Sequence, residues 1–178
     1  MTKYPITIDN GFGEELTFVG PDVKDGIECM IADNLVQPRS GPPMHVHHKQ
    51  HEEITILEGY MGTQIAGEEP RYYKAGETVL FEAGIAHKFW NAGEIPLKGT
   101  GRIWPIYNFE YFITEIFKSA KASKNHRPAM MDSVFLLRRY RSEFDIMEIP
   151  TPVKRIAFPV LHTIGKITGA FKKFKNAP

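Results

Sequence analysis

Four of the seven histidines in this 178-residue chain fall within seven positions, in Met44-His45-Val46-His47-His48-Lys49-Gln50-His51-Glu52. Written as a strand, the segment puts His45 and His47 on one side, because side chains two apart share a face, with Cα atoms about 6.5–7 Å apart. Two imidazoles so placed can converge on one metal ion at about 2.0–2.1 Å from each nitrogen. Pro42-Pro43 stiffens the approach. Glu52 opens a further run of β character that ends at Gly59, and an adjacent strand there would let it add a carboxylate. Downstream, His87 begins a run in which His87, Phe89 and Asn91 share a face. It is the candidate fourth ligand. His48 points away from His47. His51 sits four residues after His47, a helical spacing that the prolines and the β-rich context argue against. His126 and His162 lie in a later helical region, where surface roles are expected.

Three imidazoles and one carboxylate suit one divalent transition metal: Fe, Mn, Ni, Co, Cu or Zn. Calcium and magnesium prefer oxygen ligands. An octahedral ion keeps open positions for substrate, water or dioxygen, whereas tetrahedral zinc would be closed by the same four ligands. The chain offers no paired nucleophile and base and no glycine-rich phosphate loop, so any reaction is expected at the metal. Around it, Ile54, Ile56, Phe81 and Phe89 are expected to face inward, with Met44 near the mouth. They would make the mainly apolar pocket usual for small molecules. Gln64 is a candidate polar contact there, and Arg102 a candidate partner for a substrate carboxylate. The single cysteine, Cys29, excludes an internal disulfide and reads as a small buried hydrophobe.

Short strands must position these groups. Pro5–Ile8, Leu16–Val19 and Ile27–Ala32 are followed by Glu53–Leu57, Gly62–Ala66, Thr78–Phe81, His87–Asn91 and Lys98–Trp104. Turn residues such as Asp25-Gly26, Gly59 and Gly76 separate them, a spacing that predicts a sandwich or barrel. From Asn108 the period changes. Phe109, Phe112, Ile113, Ile116 and Phe117 form one helical stripe with Asn108 as N-cap. A second helix is expected from Pro128 to about Ser142. A last one carries Ile156, Val160, Ile164, Ile167, Phe171 and Phe174 as its apolar face, kinked or restarted at Pro159.

The composition is that of a globular protein, 42% hydrophobic and 24% charged, with no apolar run long enough to span a membrane and no signal-like leader. A cytoplasmic location is expected. The net charge of +1 conceals a split. Residues 1–117 carry 9 Lys/Arg and 17 Asp/Glu, and residues 118–178 carry 13 and 4. The plainer reading docks the two parts on each other by charge; the other is a basic surface for an anionic partner. Nucleic acid is not expected, since no recognised binding motif accompanies the charge. Membrane contact by the basic end is not expected either, because the polar face is short and Pro159 interrupts the helix. Gly165 and Gly169 have GxxxG spacing, a weak signal outside a membrane helix.

His45-x-His47-x4-Glu52-x6-Gly59 resembles the first cupin motif, and Gly76-x5-Glu82-x-Gly84-x2-His87-x3-Asn91 the second. The resemblance covers roughly residues 25–105. It departs at Arg39, where a glycine is usual, and at Glu82, where a proline is usual; neither supplies a ligand. It implies an all-β fold, a cupin jelly-roll β-barrel over residues 1–105, with a C-terminal α-helical extension over 106–178 packed on it. It also implies His45, His47, Glu52 and His87 as metal ligands, a small-molecule ligand in the barrel, and a homodimer. The activity it suggests is that of a metal-dependent dioxygenase or related oxidoreductase. A non-catalytic ligand-binding cupin and a metal-dependent isomerase or lyase are the alternatives.

Overall fold

The computed structural model describes residues 4–178. The chain forms strands β1 (Ile6–Asp9), β2 (Glu14–Lys24), β3 (Ile27–Val36), β4 (His45–His47), β5 (His51–Glu58) and β6 (Tyr60–Ile65). β7 (Arg71–Lys74), β8 (Thr78–Phe81), β9 (His87–Asn91) and β10 (Leu97–Trp104) follow. Helices α1 (Phe109–Lys121) and α2 (Met130–Arg139), a short strand β11 (Phe144–Ile146) and helix α3 (Phe158–Thr168) complete it. Every strand pairing is antiparallel, in two sheets ordered β1-β2-β3-β10-β5-β8 and β11-β4-β9-β6-β7. This is the jelly-roll arrangement.

Local chemistry sets the corners. Asp25 and Gly26 both take positive φ, 53° and 79°, which gives the β2–β3 hairpin the twist its strands need. β2 runs on through Gly20-Pro21 by a bulge after Phe18, so the strand extends well past the Leu16–Val19 run expected there. Gly59 carries the chain from one sheet to the other at φ 93°, and a Cβ there would lie 2.9 Å from the Leu97 Cα.

One core cluster fills the barrel with Val36, Ile54, Ile56, Met61, Val79, Phe81, Phe89 and Leu97. A second joins Phe18, Met30, Ala32 and Ile103 of the strands to Phe109, Phe112, Val134, Leu136, Leu137, Tyr140, Phe144, Phe158 and Phe174 of the helical part. Each buried Phe or Leu contributes on the order of 1.5–3 kcal/mol. Among the described residues the one long-range ion pair between residues 1–117 and 118–178 is Lys121–Asp9, at 2.6 Å on the surface, where such pairs give at most about 1 kcal/mol. The two parts are joined by apolar packing, and docking by charge is corrected.

The last segment needs a second correction. A wide π turn at Val153–Ala157 leads directly into α3, and the helical run continues through Pro159. Of the stripe expected to pack, Phe171 and Phe174 do and the four aliphatic residues do not. Ile156, Val160, Ile164 and Ile167 are exposed, while Phe158 and Gly165 are buried and Leu161 and Phe171 pack on the core. Gly165 admits the Phe171 ring, which a Cβ would meet at 2.3 Å, and Gly169 ends the helix at φ 73°. Their spacing is intrachain packing. No helix among the described residues is long and apolar enough to cross a membrane.

Candidate metal centre

His45 on β4 is the register partner of His87 on β9 in the smaller sheet. Glu52 comes from β5, which lies in the other sheet. It does not sit on an adjacent strand; it reaches the histidines across the barrel interior, on the same face of β5 as Ile54 and Ile56. One ligand atom from each of His45, His47, Glu52 and His87 lies within 4.8 Å of the others. His45 Nε2 is 3.0 Å from His47 Nε2, and Glu52 Oε2 is 3.1 Å from His87 Nε2 and 3.5 Å from His47 Nε2.

Backbone carbonyls orient two of the rings. Nδ1–H of His45 donates to the Pro43 carbonyl at 2.8 Å, and Nδ1–H of His87 to that of Ile85 at 2.9 Å. A carbonyl only accepts, so each neutral ring carries its lone pair on the inward Nε2. Burial pulls the His45 imidazole below its usual range and the His47 imidazole down to about 3, which keeps both neutral. Burial opposes ionisation of Glu52, but its close contacts with His87 and the surrounding rings outweigh it and hold the carboxyl down at about 2. Three imidazole nitrogens and one carboxylate oxygen therefore converge on one interior point. A borderline divalent cation is the partner this donor set fits.

The surroundings hold the rings still. Phe81 stacks on His87 with centroids 4.0 Å apart. His47 meets Phe144 edge-on at 5.5 Å and Phe109 at 5.9 Å, so the helical part walls one side of the centre. β11 pairs with β4 as Phe144↔His47, Asp145↔Val46 and Ile146↔His45. Buried Glu143 accepts hydrogen bonds from Gln50 Nε2, Asn108 N and Asn108 Nδ2 at 3.1, 3.0 and 2.6 Å. Asn108 thus starts α1 without capping it through its own side chain. Gly84 N–H donates to the His47 carbonyl at 2.7 Å and ties the turn before His87 to β4.

Ile54, Ile56, Phe81 and Phe89 line the interior, and Met44 is half-buried beside β4. Two of the expected pocket residues lie elsewhere. Met61, Thr63 and Ile65 are the inward residues of β6, so Gln64 turns out and its Nε2 donates to the Glu68 carbonyl at 3.1 Å. Arg102 also points outward, 3.7 Å from Glu53. Thr63 and Ile65 stand beside Phe89 and His87; on their other side they border a cavity of about 60 Å³ whose lining includes Glu68, Glu69 and Arg71 and none of the four ligand residues. Gly62 was the signal that could have found them. It packs on the Trp90 ring on the outer side, which sets the parity of the strand. His48 is exposed; His51 accepts from Ala83 N–H at 3.3 Å and stacks on Trp104, apart from the cluster.

The two motif departures have simple structural outcomes. Arg39, where a glycine is usual, keeps a left-handed φ of 67°. Glu82, where a proline is usual, is an exposed turn residue whose carbonyl accepts from Ile85 N–H.

Residues 35–101 match the family model described as Cupin domain. An uncharacterized protein of Methanocaldococcus jannaschii is 30% identical over 105 residues, 59% of this chain and 82% of that one. A probable oxidoreductase of Hypocrea virens is 38% identical over 52 residues, 29% of this chain, a stretch that spans 24% of the relative's length. Among solved structures, a predicted oxalate decarboxylase of Thermotoga maritima has a TM-score of 0.45 at 24% identity, over 56% of this chain and 90% of that one.

Proposed function

This chain belongs to the cupin superfamily, and from that premise we propose that it is a mononuclear metal-dependent enzyme, an oxidoreductase of the dioxygenase type, acting on a small organic molecule within the barrel. The observation that carries this reading is the convergence of three imidazole nitrogens and one carboxylate oxygen on one interior point. A divalent first-row ion held by His45, His47, Glu52 and His87 would supply Lewis-acid and redox chemistry there when bound. The chain supplies the rest. The Pro43 and Ile85 carbonyls hold the His45 and His87 rings in the ligating tautomer and strengthen them as donors. Phe81, Phe109 and Phe144 hold the rings in place and exclude water. Ile54, Ile56 and Phe89 present buried apolar surface inside the barrel, which suits a small organic substrate. The name of the Hypocrea virens relative supports the oxidoreductase class.

The test is metal analysis of protein purified without chelators, joined to oxygen uptake with a panel of small organic acids and enols. Iron, with oxygen consumption that vanishes in His45→Ala, is the expected result. His45→Ala should weaken metal binding more than about 100-fold, while His48→Ala leaves it unchanged. Stoichiometric zinc with no oxygen consumption, or equal losses in both variants, would overturn the reading.

A further inference from the structure

We propose that the outer face of α3 docks the protein in the plane of an anionic phospholipid surface. Ile156, Val160, Ile164 and Ile167 are 70%, 57%, 45% and 81% exposed. They lie along one side of the helical run from residue 151 to 168. At about 100° per residue, Val160, Ile164 and Ile167 fall within about 60° of one another. The opposite side of the same helix, through Phe158, Leu161 and Gly165, is spent on the core. α3 is therefore apolar on two faces, and folding covers one. A row of large aliphatic side chains open to solvent marks an interaction surface.

Charge identifies the occupant. From residue 149 to 178 there are six Lys/Arg and no Asp or Glu. Lys154 pairs with Asp145 and Lys173 with Asp132. Among the described residues Arg155, Lys166, Lys172 and Lys175 have no acidic partner. Arg155 and Lys166 adjoin the two ends of the aliphatic row in sequence, next to Ile156 and Ile167. Apolar residues bordered by free cations fit a surface with an apolar interior and anionic headgroups. A second copy fits less well, because an isologous contact would set the same cations against each other. The helix is too short to span a bilayer and, at about 1.5 Å per residue, lies along the interface. Of the two reasons for setting membrane contact aside, a short polar face and an interrupting Pro159, the second does not hold, because the helical run continues through Pro159.

The experiment is flotation of the full-length protein with phosphatidylcholine vesicles, alone or with about one third phosphatidylglycerol. The protein should float with the anionic vesicles at least about tenfold more than with the neutral ones, and release as salt rises from about 50 to about 500 mM. Ile164→Glu/Ile167→Glu should abolish flotation while leaving the melting temperature and metal content unchanged. Lys172→Gln/Lys175→Gln should weaken it several-fold. No flotation, equal flotation on neutral vesicles, or a dimer in solution that the Ile164→Glu/Ile167→Glu variant dissociates would each overturn the proposal. The salt dependence of the unaltered protein decides the matter should a variant fold poorly.

Discussion

The ring of Phe144 stands edge-on to that of His47, with centroids 5.5 Å apart, and the two residues are register partners across β11 and β4. Phe144 also stacks on Phe112 at 4.3 Å. One aromatic side chain thus connects a ligand of the metal centre to the packing of the helices.

Phe144→Ala should therefore act on two quantities. Removing a buried Phe costs about 3–5 kcal/mol of stability, read by urea unfolding of the chelator-treated protein. Metal affinity, read by competition with a chromophoric chelator, should fall about tenfold, because His47 loses the wall that orients it. A variant that is less stable but binds metal as tightly as before would show that the helical part supports the fold alone.

The buried rings make metal-free stability depend on pH. Burial puts the folded His47 at about 3, whereas an unfolded histidine titrates near 6.5. Between those values the unfolded chain binds the extra proton, so this contribution is complete above pH 6.5 and is lost as pH falls. Glu14 works in the opposite sense. Burial pushes its carboxyl up to about 7, so its contribution falls as pH rises from the usual carboxylate range. The comparison that isolates His47 is chelator-treated protein against its His47→Gln variant. The advantage of the unaltered protein should shrink by about 1.4 kcal/mol for each pH unit between 6.5 and 5. A constant difference across that range would contradict the buried neutral ring.

Arg39→Gly should stabilise the protein. The residue sits at φ 67°, a conformation that strains an L side chain by about 1–2 kcal/mol, while glycine brings back about 0.5–1 kcal/mol of unfolded-state entropy. Its pairing with Glu94, at 3.9 Å between side chains 85% and 88% exposed, contributes next to nothing. A net gain of about 0.5–1 kcal/mol in urea unfolding is expected, and a loss would mean that the strain is relieved elsewhere.

What could be read from the sequence follows from how local each signal is. The i, i+2 histidines and the run from His87 are strand-local, and the structure brings them together with Glu52. The route by which Glu52 arrives was not legible, since facing sheets and adjacent strands leave the same pattern in one chain. Parity failed at Gln64 because β6 mixes small, polar and apolar residues on both faces, and it is Gly62 against Trp90 that sets its register. β7 and β11, four and three residues long, are too short to show a period. On α3 the period was right and the face was wrong. A helix with aliphatic residues nearly all round does not say which side meets the core, and the bulkier aromatic residues took it.

β11 lies about 100 residues along the chain from the strand it pairs with. Contacts so distant in sequence form late, because a long loop must close before they gain anything. During synthesis His45 and His47 leave the ribosome well before Phe144–Ile146 exist to flank them. The metal centre is begun by a segment around residue 45 and flanked only once residues 144–146 have been made, so its maturation waits on a strand about 100 residues further along.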